Sequence, residues 1–319
     1  MSSRGVVRAA ARVTGAGALA GAAVLAGSLL EARSPVLRRV EAPVLTPGAA
    51  PLRVLHLSDL HMTPRSGAER RWVAGLAALE PDLTVVTGDM LAHVRAVPTV
   101  LSALAGLLKR PGVFVLGSND YHAPSLRNPL RYFMGPSSLD GTTPRPLPTA
   151  DLVAGLTGAG WLDLDNARGE LRVAGRTVRL VGVDDPHLGR DRMPAPQRAP
   201  DGDGDRRDVL RVGVSHAPYR RVLDAMTTDG ADLVLAGHTH GGQVCVPGFG
   251  ALVTNCDLPR AYAKGLFAWA SPVPGGDGWT APPSSWVNVS AGLGTSPFTP
   301  VRLACRPEAT MLTLVPRVR

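Results

Sequence analysis

Little of this 319-residue sequence is aromatic: Phe, Trp and Tyr together make up 4%. No basic run is interleaved with them, which excludes the stacking-and-phosphate pattern of a nucleic-acid binder. Cysteine is nearly as scarce, with Cys245, Cys256 and Cys305 and no C-x-x-C pair. That excludes a thiolate zinc motif and a disulfide framework. Three buried thiols are the expectation, with a Cys245–Cys256 bridge as the alternative. Acidic residues are in deficit, 26 against 34 Lys and Arg, giving a net charge of +8. Much of the excess is Arg scattered along the chain, which suits an anionic membrane surface or a phosphate-bearing substrate. Charged residues reach only 19% against 45% hydrophobic, so wholesale disorder is excluded as well.

Long hydrophobic runs are also rare. The first residues hold a charge-free stretch from Val13 to Leu30, preceded by Arg4, Arg8 and Arg12. At about 18 residues it sits at the lower limit for spanning a bilayer. Residues 1–33 are therefore expected to be a membrane anchor or signal-like segment. The Arg-rich start would stay in the cytoplasm and the domain would lie on the extracytoplasmic side of the cell membrane. Residues 34–51 read as a Pro-rich linker, and 52–319 as the functional domain.

What the domain does contain is a pattern of short apolar runs and helical spacings. Leu52–Leu57, Asp82–Thr87, Val113–Leu116, Leu210–Val214 and Asp232–Ala236 suit buried strands. Helical spacing covers Ala68–Leu79, Val97–Leu108, Leu152–Ala159 and Tyr219–Met226. Further strands are expected at Leu162–Leu164, Leu171–Val173, Val178–Val183, Trp286–Ser290 and Met311–Val315. Strands alternating with helices predict a layered α/β fold. Pro136–Pro148 and Pro194–Asp208 read as surface loops. Nothing in the sequence sets the oligomeric state.

The chemistry falls where these strands end. Asp59 and His61 follow the first, Asp89 the second, and Gly117-Ser118-Asn119-Asp120 the third. His216 follows Leu210–Val214, and Gly237-His238-Thr239-His240-Gly241-Gly242-Gln243 follows Asp232–Ala236. Open α/β sheets gather their sites at carboxyl strand ends. A lone Asp there is usually a turn former or helix cap, and a lone His usually structural, but five such coincidences argue for one site. Carboxylates with imidazoles, and no clustered thiolate, suit Mn²⁺, Fe or Zn²⁺. Two ions about 3.5–4 Å apart would clamp the attacking and leaving oxygens of a phosphoryl displacement. His56, inside a strand, reads as core; His93, soon after Asp89, and Arg127, Arg131 and Lys264 are secondary candidates for contact with the site or with phosphate.

At these residues the chain resembles the calcineurin-like metallophosphoesterase family, whose pattern is D-x-H, G-D, G-N-H-[DE], a separate His, and G-H-x-H. Asp59-Leu60-His61, Gly88-Asp89, His216 and Gly237-His238-Thr239-His240 match it in order and spacing. The G-H-T-H-G-G-Q run, Gly182-Val183-Asp184-Asp185 and Ser290-Ala291-Gly292-Leu293-Gly294-Thr295-Ser296 are similar to a membrane-associated subgroup. Some of its members cleave phosphodiesters or the pyrophosphate of UDP-diacylglucosamine. The resemblance implies a four-layer sandwich of two mixed β-sheets flanked by helices, here preceded by an N-terminal hydrophobic helix. It implies two divalent metal ions, Mn²⁺ favoured, and a phosphate-ester substrate, lipid-linked in some members. Asp59, His61 and His240 would hold the first ion, Asp89 would bridge, and His216 and His238 would hold the second.

One departure matters. Where the family has G-N-H-D, this chain has Gly117-Ser118-Asn119-Asp120. Ser118 stands for the ligating Asn, and Asn119 for the His that assists the leaving group. Asn119 is expected to serve as ligand or phosphate contact, and Asn119, Asp120 and His122 are the residues expected to act in catalysis. A metal-binding protein without turnover is the alternative reading.

Overall fold

The computed structural model describes residues 3–125, 145–196, 209–271 and 284–317, with the side chains of the N-terminal helix described from Gly17 onward. Most of Pro136–Pro148 and Pro194–Asp208, together with Arg127 and Arg131, lies outside the described residues.

In chain order the strands are β1 (Val36–Leu45), β2 (Leu52–Leu57), β3 (Leu83–Thr87), β4 (Gly112–Val115), β5 (Leu162–Asp163), β6 (Arg168–Val173), β7 (Arg176–Gly182), β8 (Val209–Val214), β9 (Leu233–Ala236), β10 (Cys245–Val246), β11 (Gly250–Ala251), β12 (Gly265–Ala270), β13 (Ser284–Val289) and β14 (Glu308–Pro316). The helices are α1 (Ser3–Glu31), α2 (Gly67–Gly75), α3 (Val97–Leu104), α4 (Ser118–Tyr121), α5 (Thr149–Gly158) and α6 (Arg220–Thr228). The described strands form two six-stranded sheets, β1-β14-β2-β3-β4-β5 and β12-β13-β9-β8-β7-β6, and a small β10-β11 ribbon. Both large sheets are mixed. Within the first, β2, β3, β4 and β5 run parallel while β14 lies antiparallel to β2. In the second, β7, β8, β9 and β13 are parallel, with β6 and β12 antiparallel at its edges.

Alternation along the strands explains the layering. Val85, Val113 and Val115 face Leu180, Val212 and Leu235 in the core between the sheets. Val86 and Phe114, on the opposite face, pack under Val73, Val100 and Leu156 of α2, α3 and α5. Val234 and Val287 pack under Leu223 and Met226 of α6. The expected layers of helix, two mixed sheets and helix are present.

Two expectations at the N-terminus are corrected. Residues 34–51 are not a linker throughout, because Val36–Leu45 is an edge strand paired in parallel with β14. Its charges and Pro43 are the features that suggested a linker, yet an edge strand tolerates both, since one of its sides carries no partner. Arg38 also pairs with Glu308 at 2.9 Å. The N-terminal segment is helical, but among the described residues no helix is long and apolar enough to cross a membrane. Helix α1 is charge-free from Val13 to Leu30 but rich in Ala and Gly, which are weakly apolar. Its last turn docks on the domain, where the Glu31 carboxylate accepts from the backbone N–H groups of Ala304 and Cys305 at 3.0 and 2.6 Å. The extracytoplasmic placement therefore has no support among the described residues.

Candidate metal centre

Because β2, β3 and β4 are neighbours in one sheet and β8 and β9 in the other, the loops after all five strands meet along the seam between the sheets. Two groups of metal-ligating atoms lie there, Asp59 with His61 and His240, and Asp59 with Asp89 and His216; within each group the atoms are no more than 4.8 Å apart. Asp59 belongs to both. Asp89 also reaches both sides, with Oδ2 3.6 Å from His61 Nε2 and Oδ1 3.5 Å from His216 Nε2. The sequence-based expectation made Asp89 alone the bridge, whereas here both carboxylates span the centre. His238 stands beside it, its ring edge-on to His216 with centroids 5.1 Å apart.

The backbone is bent to achieve this. Asp59, His61, Asp89, His238 and His240 all have positive φ, between 43° and 67°. Non-glycine residues seldom adopt this region, and such outliers concentrate at functional sites. Neighbouring glycines make room: Gly88, at φ 82°, has Gly117 packed where a side chain would go, and a Cβ on Gly117 would overlap Asp89 Oδ1.

Hydrogen bonds assign the imidazoles. Nδ1 of His216 lies 2.7 Å from the Thr87 carbonyl, which can only accept, so Nδ1 carries a hydrogen and Nε2 is the nitrogen turned toward Asp89 and placed to ligate. That Nε2 is buried and has no hydrogen-bond partner. His238 Nε2 donates to the Asn255 carbonyl at 3.2 Å, leaving Nδ1 as its lone pair. Burial pushes the His216 pKa down, but Asp89, Asp185 and Asp59 outweigh it and raise it to about 9. Burial pushes Asp89 up, but His216, His61 and the Asn119 hydrogen bonds hold it below the usual carboxylate range. A buried cavity whose carboxylates draw positive charge onto an imidazole, beside a partnerless nitrogen, fits a divalent cation.

The third loop is arranged differently from expectation. Asn119 turns toward Asp89: its backbone N–H donates to Oδ1 and its amide to Oδ2, each at 2.7 Å. Asp120 is fully buried and does not face the centre; its Oδ1 accepts from the N–H groups of Met90 and Leu91, and its Oδ2 from that of Gly117. It staples the β3 and β4 loops together, which corrects its expected catalytic role. The His122 ring shows no contact with the cluster, its Nδ1 being buried without a partner, so its proposed part in catalysis finds no geometric support. His93 Nδ1 accepts from the Arg95 N–H within its own turn. His56 is core, as expected, bonded to Thr87 and Asn288. All three cysteines are free thiols, with Cys245 and Cys305 buried.

Three neighbours escaped the sequence reading. Arg302, entirely buried, donates to the carbonyls of Ala291, Gly292 and Gly294 at 2.7–3.1 Å and lies 3.2 Å from His240 Nδ1. His187 packs its ring 4.5 Å from that of His238. A cavity of about 1230 Å³ adjoins the Gly241 turn, lined by Val246, Phe249, Leu258, Arg260 and Lys264 among others. Only the Asp184-Asp185 segment before His187, and Lys264 at the cavity, gave a signal in the sequence.

The family model described as calcineurin-like phosphoesterase matches residues 52–242. Phosphodiesterase YaeI of Escherichia coli (strain K12) is 28% identical over 275 residues, covering 84% of this chain and 83% of that protein. A Bos taurus transmembrane protein with metallophosphoesterase domain is 27% identical over 294 residues, covering 89% of this chain, which spans 58% of the bovine protein's length. Among solved structures, TT1561 of Thermus thermophilus aligns over 76% of this chain and 91% of its own, with 14% identity and a TM-score of 0.39.

Proposed function

The chain belongs to the calcineurin-like phosphoesterase family, and from that premise we propose that it is a hydrolase of phosphoric esters, a phosphodiesterase with two divalent metal ions, Mn²⁺ favoured. The observation that carries the reading is the pair of three-residue ligand groups sharing Asp59 at the seam of the two sheets. Asp59, His61 and His240 would hold one ion, and Asp59, Asp89 and His216, with His238 beside them, the other. Ions bound there supply Lewis-acid polarisation of the phosphoryl group and a nucleophile at neutral pH. The protein's own part is to keep the donors oriented. Thr87 and Asn255 fix the tautomers of His216 and His238, and Asn119 fixes both oxygens of Asp89.

Asn119 is occupied with Asp89 and carries no proton to give, so the reaction favours substrates whose leaving group needs little protonation, such as a pyrophosphate or an activated diester. A membrane-proximal, amphiphilic phosphodiester is supported by two features. The cavity beside the Gly241 turn joins apolar walls to Arg260 and Lys264. Helix α1 exposes Leu19, Val24, Leu25 and Leu30, which would associate with a membrane surface. On this reading kcat/KM rises with acyl length in a series of phosphodiesters, and a flat series would remove the amphiphilic substrate.

The test of the chemistry is hydrolysis of bis(p-nitrophenyl) phosphate by the full chain with added Mn²⁺, with a chelator control and Asp89→Asn. Hydrolysis that depends on metal and falls on the order of 10²–10³-fold in the variant is the expected result. The position of Asn119 also favours a second reading, a metal-binding protein without turnover. That reading gains if the chain binds two ions but hydrolyses neither diester nor monoester, and if Asn119→His adds nothing.

A further inference from the structure

The thiols of Cys245 and Cys305 meet at the turn that carries His240. Cys245, in β10, donates to the Gly241 carbonyl at 3.2 Å, and Cys305 Sγ lies 3.5 Å from the same oxygen and 3.3 Å from the His240 carbonyl. Each thiol is also a hydrogen-bond partner of the other. Backbone contacts hold the two segments side by side: Val244 and Leu303 pair as a parallel bridge, and the Cys245 N–H donates to the Leu303 carbonyl at 2.8 Å. Cys305 is pinned from its other side, its N–H donating to Glu31 of α1 at 2.6 Å. Small side chains, Ala251, Ala263 and Ala291, pack around the two sulfurs. Burial in apolar surroundings alone would leave such a pair inert, but Lys264 places its Nζ 3.6 Å from Cys305 Sγ, the electropositive setting of a reactive thiol. Access is also present, because Cys245 and Lys264 both stand in the wall of the cavity of about 1230 Å³. Cys256 lines that cavity too, but it packs against the cluster of Val222 and Leu223 of α6 instead.

We propose that Cys245 and Cys305 are a redox modification site, joined by a hydroperoxide into a disulfide that loosens the turn holding His240. One sulfur takes an oxygen from the peroxide as a sulfenic acid, and the O–O bond breaks with release of water or alcohol. The other sulfur then displaces that oxygen as water and forms the S–S bond. The two thiols give up two electrons and two protons, and the peroxide receives both. The bond removes both S–H groups, so the carbonyls of Gly241 and His240 lose their thiol donors. The effect on the centre passes through His240, and that half of the proposal rests on the two-ion reading.

The experiment treats the full chain with hydrogen peroxide, beside Cys245→Ser, Cys305→Ser and Cys256→Ser. Thiol titration under denaturing conditions and non-reducing peptide mapping by mass spectrometry read the bond, and equilibrium dialysis reads Mn²⁺. In the wild type the three free thiols should fall to one, with the Cys245 and Cys305 peptides linked. Mn²⁺ affinity at one site should fall about 10-fold, the scale of a lost support behind a ligand. Dithiothreitol should restore both. Cys256→Ser should respond as the wild type does, whereas Cys245→Ser and Cys305→Ser should form no internal bond and keep their Mn²⁺ affinity under peroxide. Three thiols persisting after peroxide, or a link that includes Cys256, overturns the proposal. So does a Cys245–Cys305 link with Mn²⁺ affinity unchanged, which would make the bond a structural staple. A reduced chain that binds no Mn²⁺ would overturn the two-ion reading and the effect on His240, with the peptide map still deciding the Cys245–Cys305 bond.

Discussion

The two sheets contribute unlike halves to the centre. Loops of the first sheet bring both carboxylates, Asp59 and Asp89, and are laced to one another by backbone bonds. The Asp59 N–H donates to the Gly88 carbonyl, that of His61 to Asp89, and that of Met62 to Met90. Loops of the second sheet bring His216, His238 and His240, and are braced from far along the chain. His238 leans on the Asn255 carbonyl, and the guanidinium of Arg302 reaches the His240 ring. One half thus holds itself in shape through adjacent strands, while the other depends on remote side chains. Each half is incomplete as a ligand set, so a bound cation would tie one sheet to the other.

The largest effect that would sharpen this contrast is expected from Arg302→Met. It strips a buried guanidinium from at least three carbonyls and should cost about 3–5 kcal/mol, with the metal-free protein affected too. Urea denaturation measures it, and a loss below about 1 kcal/mol would mean that the second half also holds itself. Next comes metal removal. With free Mn²⁺ at about a hundred times its Kd, chelation should remove about 2.7 kcal/mol of stability. Thermal melts with and without chelator read the shift, and identical melts would break the idea that the cation joins the sheets. The smallest effect falls on the self-supporting half. Asn119→Ala should weaken metal retention about 10–100-fold, as loss of a hydrogen bond behind a ligand typically does. Equilibrium dialysis with Mn²⁺ checks it, and unchanged retention would show that the backbone lacing alone positions Asp89.

The same contrast explains what could be read from the sequence. Asp59, His61, Asp89, His216, His238 and His240 each stand directly after an apolar strand, so periodicity and position exposed them together. Most predicted strands lie close to those observed, because buried parallel strands leave continuous apolar runs. Braces had no such signature. Arg302 lies 62 residues from His240 in a stretch without strand or helix periodicity. Its identity as a buried residue depends on carbonyls that only the folded chain gathers. Asp120 is turned to backbone amides, and His122 gains no support from the geometry, because adjacency to a motif in sequence does not fix the direction of a side chain. Successive side chains on α4 point about 100° apart, which sends Asn119 to Asp89 and Asp120 to backbone amides. β1 was missed because its side chains carry an edge pattern, with pairing only to β14.

That pairing also bears on how the protein can be handled. Shortening the chain to begin at Leu52, where the readable domain starts, would remove β1 and bare the whole flank of β14 from Glu308 to Pro316, a row of open amides and carbonyls beside mostly buried side chains. Such a flank is a template for a second molecule. The shortened protein would then tend to pair edge to edge and aggregate, for a reason unrelated to its chemistry.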